Sequence, residues 1–97
     1  SGGNKQKVEV GKWMANHSEI LIMDCPTRGI DVGVKKAIYH LMEKLTSEGK
    51  SIIMVSEEMP ELIGMSDRII VLKNGEVTGN FLRSQKVTEN VLVSCII

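Results

Sequence analysis

Ninety-seven residues with twelve Lys plus Arg against twelve Asp plus Glu form a small, electrically balanced chain, and the absence of a basic stripe disfavours a nucleic-acid partner. A chain this short makes one domain at most and buries roughly two-thirds of its unfolded surface, which is little for an enzyme that must enclose a substrate. Its two Cys show no Cys-x-x-Cys or Cys/His spacing, so reduced thiols are expected rather than a zinc site or a disulfide framework, and no apolar run approaches the roughly 18 residues of a membrane span.

Ser1-Gly2-Gly3 opens the chain, and Asn4 to Asn16 reads as a helix, with Val8, Gly11, Met14 and Ala15 near the spacing of a buried stripe. Ile20-Leu21-Ile22-Met23 is an apolar run that ends in Asp24, the pattern of a buried strand carrying a carboxylate at its C-terminal end. From Val32 to about Ser47, Val34, Ala37, Ile38, Leu41, Met42 and Leu45 fall on one helical face and Lys35, Lys36, Tyr39, His40, Glu43 and Lys44 on the other. Gly49 ends this helix.

Ser51 to Val55 is a second apolar strand, so strand, helix and strand predict a right-handed βαβ unit with parallel strands. Met59 to Met65 fits a short helix with Pro60 in its first turn. Arg68 to Lys73 and Glu76 to Phe81 flank Asn74-Gly75, a strong type I′ hairpin signal. Thr88 to Cys95 closes the chain as a helix. With one Phe, one Trp and one Tyr, the core must be aliphatic, filled out by six Met. Strands apolar on both faces need helices on both, and too few helices are available. The chain therefore looks like part of a larger domain and is expected to hide exposed sheet surface by self-association or strand exchange.

In a parallel sheet the loops after adjacent strands share one edge. Here they carry Asp24-Cys25 and Ser56-Glu57-Glu58, and carboxylates so placed bind Mg²⁺ when a phosphate ligand completes the coordination. The plain alternative is that Asp24 and Glu57 begin solvated loops. Asp31 directly before a long helix reads as an N-cap. Ser1-Gly2-Gly3 ahead of a helix has the makings of an anion site, although the tripeptide equally fits a cloning remnant. No Gly-x-x-x-x-Gly-Lys-Ser/Thr loop is present. His17 and His40 lack partners at useful spacing, and the Met residues and Cys95 read as packing.

Taken in order, Ser1-Gly2-Gly3-Asn4-Lys5-Gln6-Lys7-Val8, Ile20 to Asp24 and Pro26-Thr27-Arg28-Gly29-Ile30-Asp31-Val32-Gly33 resemble the ATP-binding domain of ABC transporters. Met59-Pro60-Glu61 and Gly64-Met65-Ser66-Asp67-Arg68-Ile69-Ile70-Val71 narrow the resemblance to the second ATP-binding domain of monosaccharide importers of the ribose, galactose and xylose kind. It covers essentially all of residues 1–97 and implies a partial P-loop NTPase fold of the α/β class, parallel strands with flanking helices and a C-terminal β-hairpin. It also implies that the family's phosphate-binding loop, adenine-stacking aromatic and Q-loop lie upstream of the matched part. The chain begins in mid-motif, as an excised piece or a truncated reading frame does.

By that resemblance Ser1, Gly2, Gly3 and Asn4 match the signature motif that contacts ATP on the partner domain, Asp24 ends the Walker B strand and holds Mg through water, and Asp31 lies in the D-loop. Two positions depart from the pattern. Cys25 stands where the family has the Glu that orients the attacking water; a thiol with an ordinary pKa of about 8.5 is mostly neutral and a poor acceptor. Glu57 stands at the switch His position, where an acid repels phosphate unless it is protonated or metal-bound. No catalytic residue is intact.

The implied whole protein uses ATP and Mg, pairs with another ATP-binding domain, docks on a membrane permease served by a sugar-binding protein, and works in the cytoplasm at the inner face of the membrane. The chain alone is expected neither to hold ATP tightly nor to hydrolyse it. The competing expectation is a small α/β regulatory or interaction module whose acidic strand ends bind Mg²⁺ without nucleotide hydrolysis.

Overall fold

The computed structural model describes residues 19–97, so the expected helix over 4–16 and the candidate positions Ser1 to Asn4 lie outside the described residues. The chain divides into two compact units, one ending at Val55 and the other running from Ser56 to Ile97. Among the described residues no helix is long and apolar enough to cross a membrane.

In the first unit β1 (Ile20–Asp24) and β2 (Ser51–Val55) pair in parallel, with Leu21 opposite Ile52, Ile22 opposite Ile53 and Asp24 opposite Val55. They are joined by α1 (Val32–Ser47), which has the limits its apolar periodicity predicts. Ile38, Met42 and Leu45, spaced four and three apart, form its buried stripe, and the helix packs on β2. The helix stops because Gly49 takes φ +90°. The Gly49 N–H then donates to the Thr46 carbonyl and the Lys50 N–H to the Leu45 carbonyl, the paired bonds of a Schellman ending.

One expectation needs correction: β1 is buried on one face only. Leu21 and Met23 are buried while Ile20 and Ile22 are 62% and 60% exposed. The strand's apolar run therefore hides a two-residue alternation of burial, beside a helix, α1, that packs on β2.

In the second unit α2 (Met59–Met65) is followed by β3 (Arg68–Lys73) and β4 (Glu76–Leu82), which pair antiparallel. Asn74 and Gly75 both have positive φ, +50° and +80°, as a type I′ turn requires. The pairing slips between Val71 and Leu72, so that Val71 faces Gly79 while Leu72 faces Val77. A short 3₁₀ turn, Arg83–Gln85, leads to α3 (Glu89–Ile96), capped by Thr88, whose Oγ1 accepts from the Val91 N–H. Ile69, Val71 and Leu92 are the centre of the core, with Met59, Leu62, Ile63, Phe81, Val87 and Cys95 packed around them.

Gly79 lies on the hairpin where Phe81 and the Cys95 side chain of α3 leave no room for a larger residue. A Cβ there meets Phe81 Cε2 at 2.8 Å and Cys95 Sγ at 3.0 Å, so Gly79→Ala is expected to lower stability by about 1–3 kcal/mol through overpacking. Urea unfolding measures this, and adding Cys95→Ala should recover part of the loss.

Candidate functional site

The candidate residues occupy the turn after β1 and the segment after β2. Asp24 is exposed at the end of its strand. Cys25 follows in the left-handed region at φ +48°, a conformation that costs a side-chain-bearing residue on the order of 1 kcal/mol. The backbone holds it there: its N–H donates to the Val55 carbonyl at 2.8 Å, and its own carbonyl accepts from the Arg28 N–H at 3.1 Å. The direction of side chain 25 is thus set by backbone bonds that any residue type can make.

The turn closes tightly over Pro26 and Thr27, both buried, Thr27 at 1% exposure. Arg28 Nη2 lies 3.2 Å from Cys25 Sγ and donates to it. Sequence reasoning missed this contact, because no periodicity or motif reports which way an exposed Arg folds back. Gly29 takes φ +72° with open space around its missing Cβ, so backbone conformation rather than room is what calls for glycine.

Asp31 is the N-cap of α1, with extended backbone at φ −77°, ψ 167° and Oδ1 accepting from the Val34 N–H at 2.9 Å. Asp31→Ala is expected to cost about 1 kcal/mol in urea unfolding and Asp31→Ser very little, since a hydroxyl also caps. The cap leaves the second carboxylate oxygen of Asp31 for other partners.

The other candidate segment belongs to the second unit. Glu57 is exposed. Its neighbour Ser56 accepts the Glu58 N–H on Oγ at 3.0 Å and donates from Oγ to Glu61 Oε2 at 2.5 Å. Glu61 is 6% exposed, and its burial is the second feature that sequence reading did not find. His40, read from the sequence as lacking a partner at useful spacing, is 80% exposed on the polar face of α1, with Nδ1 3.8 Å from Oε2 of Glu43, itself 68% exposed one helical turn on.

Among the described residues no group of three or more His, Cys, Asp and Glu is placed to hold a metal ion. The donor set at the end of β1 is one exposed carboxylate. That fits Mg²⁺ held by a single acid with phosphate oxygens and water supplying the rest, and it does not fit an all-protein cage.

No protein-family model matches the chain. The ribose import ATP-binding protein RbsA of Bacillus cereus is 51% identical over 92 residues, 95% of this chain and 19% of that protein. The xylose import ATP-binding protein XylG of Moorella thermoacetica is 53% identical over 95 residues, 98% of this chain and 19% of that protein. The galactose/methyl galactoside import ATP-binding protein MglA of Clostridium perfringens is 52% identical, with 95% and 18% covered. The chain thus spans about a fifth of the length of these relatives.

Among solved structures, a nucleotide-free ATP-binding cassette from an ABC transporter superposes with TM-score 0.85 at 20% identity, covering 97% of this chain and 36% of that one. The ATP-binding cassette MJ0796, in a dimeric post-hydrolysis state bound to ADP and Pi, superposes with TM-score 0.77 at 31% identity over 86% and 36%. The fold is that of part of an ABC ATPase domain.

Proposed function

We propose that the chain, about half identical to ATP-binding proteins of ribose, xylose and galactose import over nearly its whole length, supplies the part of an ABC ATP-binding domain from the signature motif onward, in a protein that uses ATP to drive sugar uptake. The observation that carries this reading is an exposed acid, Asp24, at the C-terminal end of β1, in a chain half identical to three kinds of sugar import protein.

In this reading Asp24 holds Mg through water at the edge of the sheet. The metal, when bound, neutralises charge on the transferred phosphoryl group. Ser1, Gly2, Gly3 and Asn4, outside the described residues, contact the nucleotide of a second ATP-binding domain, and Asp31 serves the same interface while capping α1. Cys25 and Glu57 make the chain's own site a weak one for hydrolysis, as neither is suited to activating water beside a phosphate. The permease gives the protein its place at the cytoplasmic face of the membrane.

The test is a chimaera in which this chain replaces the matched 92 residues of the Bacillus cereus ribose protein. Retained ATP binding and ATP-dependent ribose uptake are expected, together with no ATP turnover by the 97-residue chain alone. A folded chimaera that binds no ATP, or turnover by the isolated chain that Asp24→Asn abolishes, overturns the reading.

A further inference from the structure

Among the described acidic residues Glu61 alone is buried. A carboxylate is expensive to remove from water unless hydrogen bonds replace its hydration, so its partners show what it is there for. Glu61 lies in the first turn of α2, where an acid ordinarily serves the free N–H groups of the helix start. Its Oε2 accepts from Ser56 Oγ, which lies before the helix, and the same Ser56 Oγ accepts the Glu58 N–H. Glu58, the N-cap, makes no side-chain capping bond of its own. The links from Glu61 to Ser56 and from Ser56 to Glu58 bracket Glu57 on both sides.

We propose that Glu61 is a positioning residue: by orienting the Ser56 hydroxyl it fixes the backbone of residues 56–58 and so the place from which side chain 57 acts. The proposal rests on the reading of Glu57 as the residue at the switch position. It explains why a buried acid occurs where a leucine would be easier to bury. A donor that is itself held by a carboxylate keeps the Ser56 lone pairs turned toward the Glu58 N–H.

Amide hydrogen exchange of the full 97-residue chain, followed by NMR, tests this with Glu61→Leu, Glu61→Gln and Ser56→Ala. Expected is an acceleration of about tenfold or more at the Glu58 amide in Glu61→Leu and Ser56→Ala, one order of magnitude being the signature of a lost local closure. Val71 and Leu92 should be unchanged, and Glu61→Gln, which keeps an acceptor oxygen, should stay close to the parent. Unchanged Glu58 exchange in Ser56→Ala overturns the proposal. So does a Gln variant that behaves like Leu, or equal losses at Glu58, Val71 and Leu92, which mark a residue of general stability only. No nucleotide enters this measurement, so its failure counts against Glu61 alone, whereas failure of the transporter reading is seen separately as a chimaera without ATP binding.

Discussion

In the chimaera, with the other nucleotide site silenced, Cys25→Glu alone is expected to leave ATP hydrolysis within about twofold, and Cys25→Glu combined with Glu57→His to raise it about a hundredfold, the lower end of what a positioned general base contributes. The proposed reading places the water-orienting carboxylate at position 25, and the backbone there admits the exchange. The residue is held at φ +48° by backbone bonds to Val55 and Arg28, so the exchange leaves the frame in place, and Cys and Glu pay a similar left-handed cost. The lower end of the range is chosen because of Arg28. Its guanidinium already donates to Sγ and will form a charge-assisted bond with a carboxylate there, making it a weaker base. In the proposed reading Glu57 has to change as well, because a negative charge at the switch position opposes the phosphate whatever residue activates the water. Turnover that rises fully with Cys25→Glu alone would remove Glu57 from the account, and no gain from the double substitution would locate the defect elsewhere.

Where the sequence was legible, two signals coincided. Val32 to about Ser47 could be bounded because its apolar spacing runs from an Asp suited to the N-cap to a Gly that takes positive φ at little cost. The hairpin was readable because Asn-Gly satisfies the type I′ turn and little else does at that position. The features that escaped are relations between side chains or faces. Ile20 to Met23 is uniformly apolar, so nothing in it says that Leu21 and Met23 are covered and Ile20 and Ile22 are not. That distinction depends on which helix lies on which face. The slip at Val71/Leu72 and the tight approach of Cys95 to Gly79 arise from tertiary packing. Of the candidate site, Asp24, Cys25, Asp31 and Glu57 were nameable from strand ends and from the family resemblance. Arg28 and Glu61 were not, because a fold-back guanidinium and a buried acid look, in sequence, like any other surface charge.

The uncovered sheet face leads to the second large effect. The isolated chain is expected to associate reversibly at micromolar concentration, with a light-scattering mass at least twice that of the monomer, and Ile22→Lys with Ile53→Glu is expected to shift it to monomer. Ile20, Ile22, Ile53 and Val55 are 51–62% exposed, and in the parallel register Ile22 lies directly opposite Ile53. Covering the remaining half of four such side chains is worth about 1 kcal/mol each, roughly 8 kcal/mol for two copies face to face. Losing independent motion on association costs about 4–15 kcal/mol. The two terms nearly balance, which is why the association should depend on concentration rather than give a fixed dimer. Opposite charges at the paired positions make the face polar while attracting across the strands, so the variant tests the surface without unpairing β1 from β2. A parent chain that stays monomeric throughout the micromolar range would mean that this apolar face is too small or too poorly matched to itself to hold two copies together. A variant that still associates would move the contact to the second unit's hairpin, where Ile70, Leu72 and Val77 are 54–64% exposed.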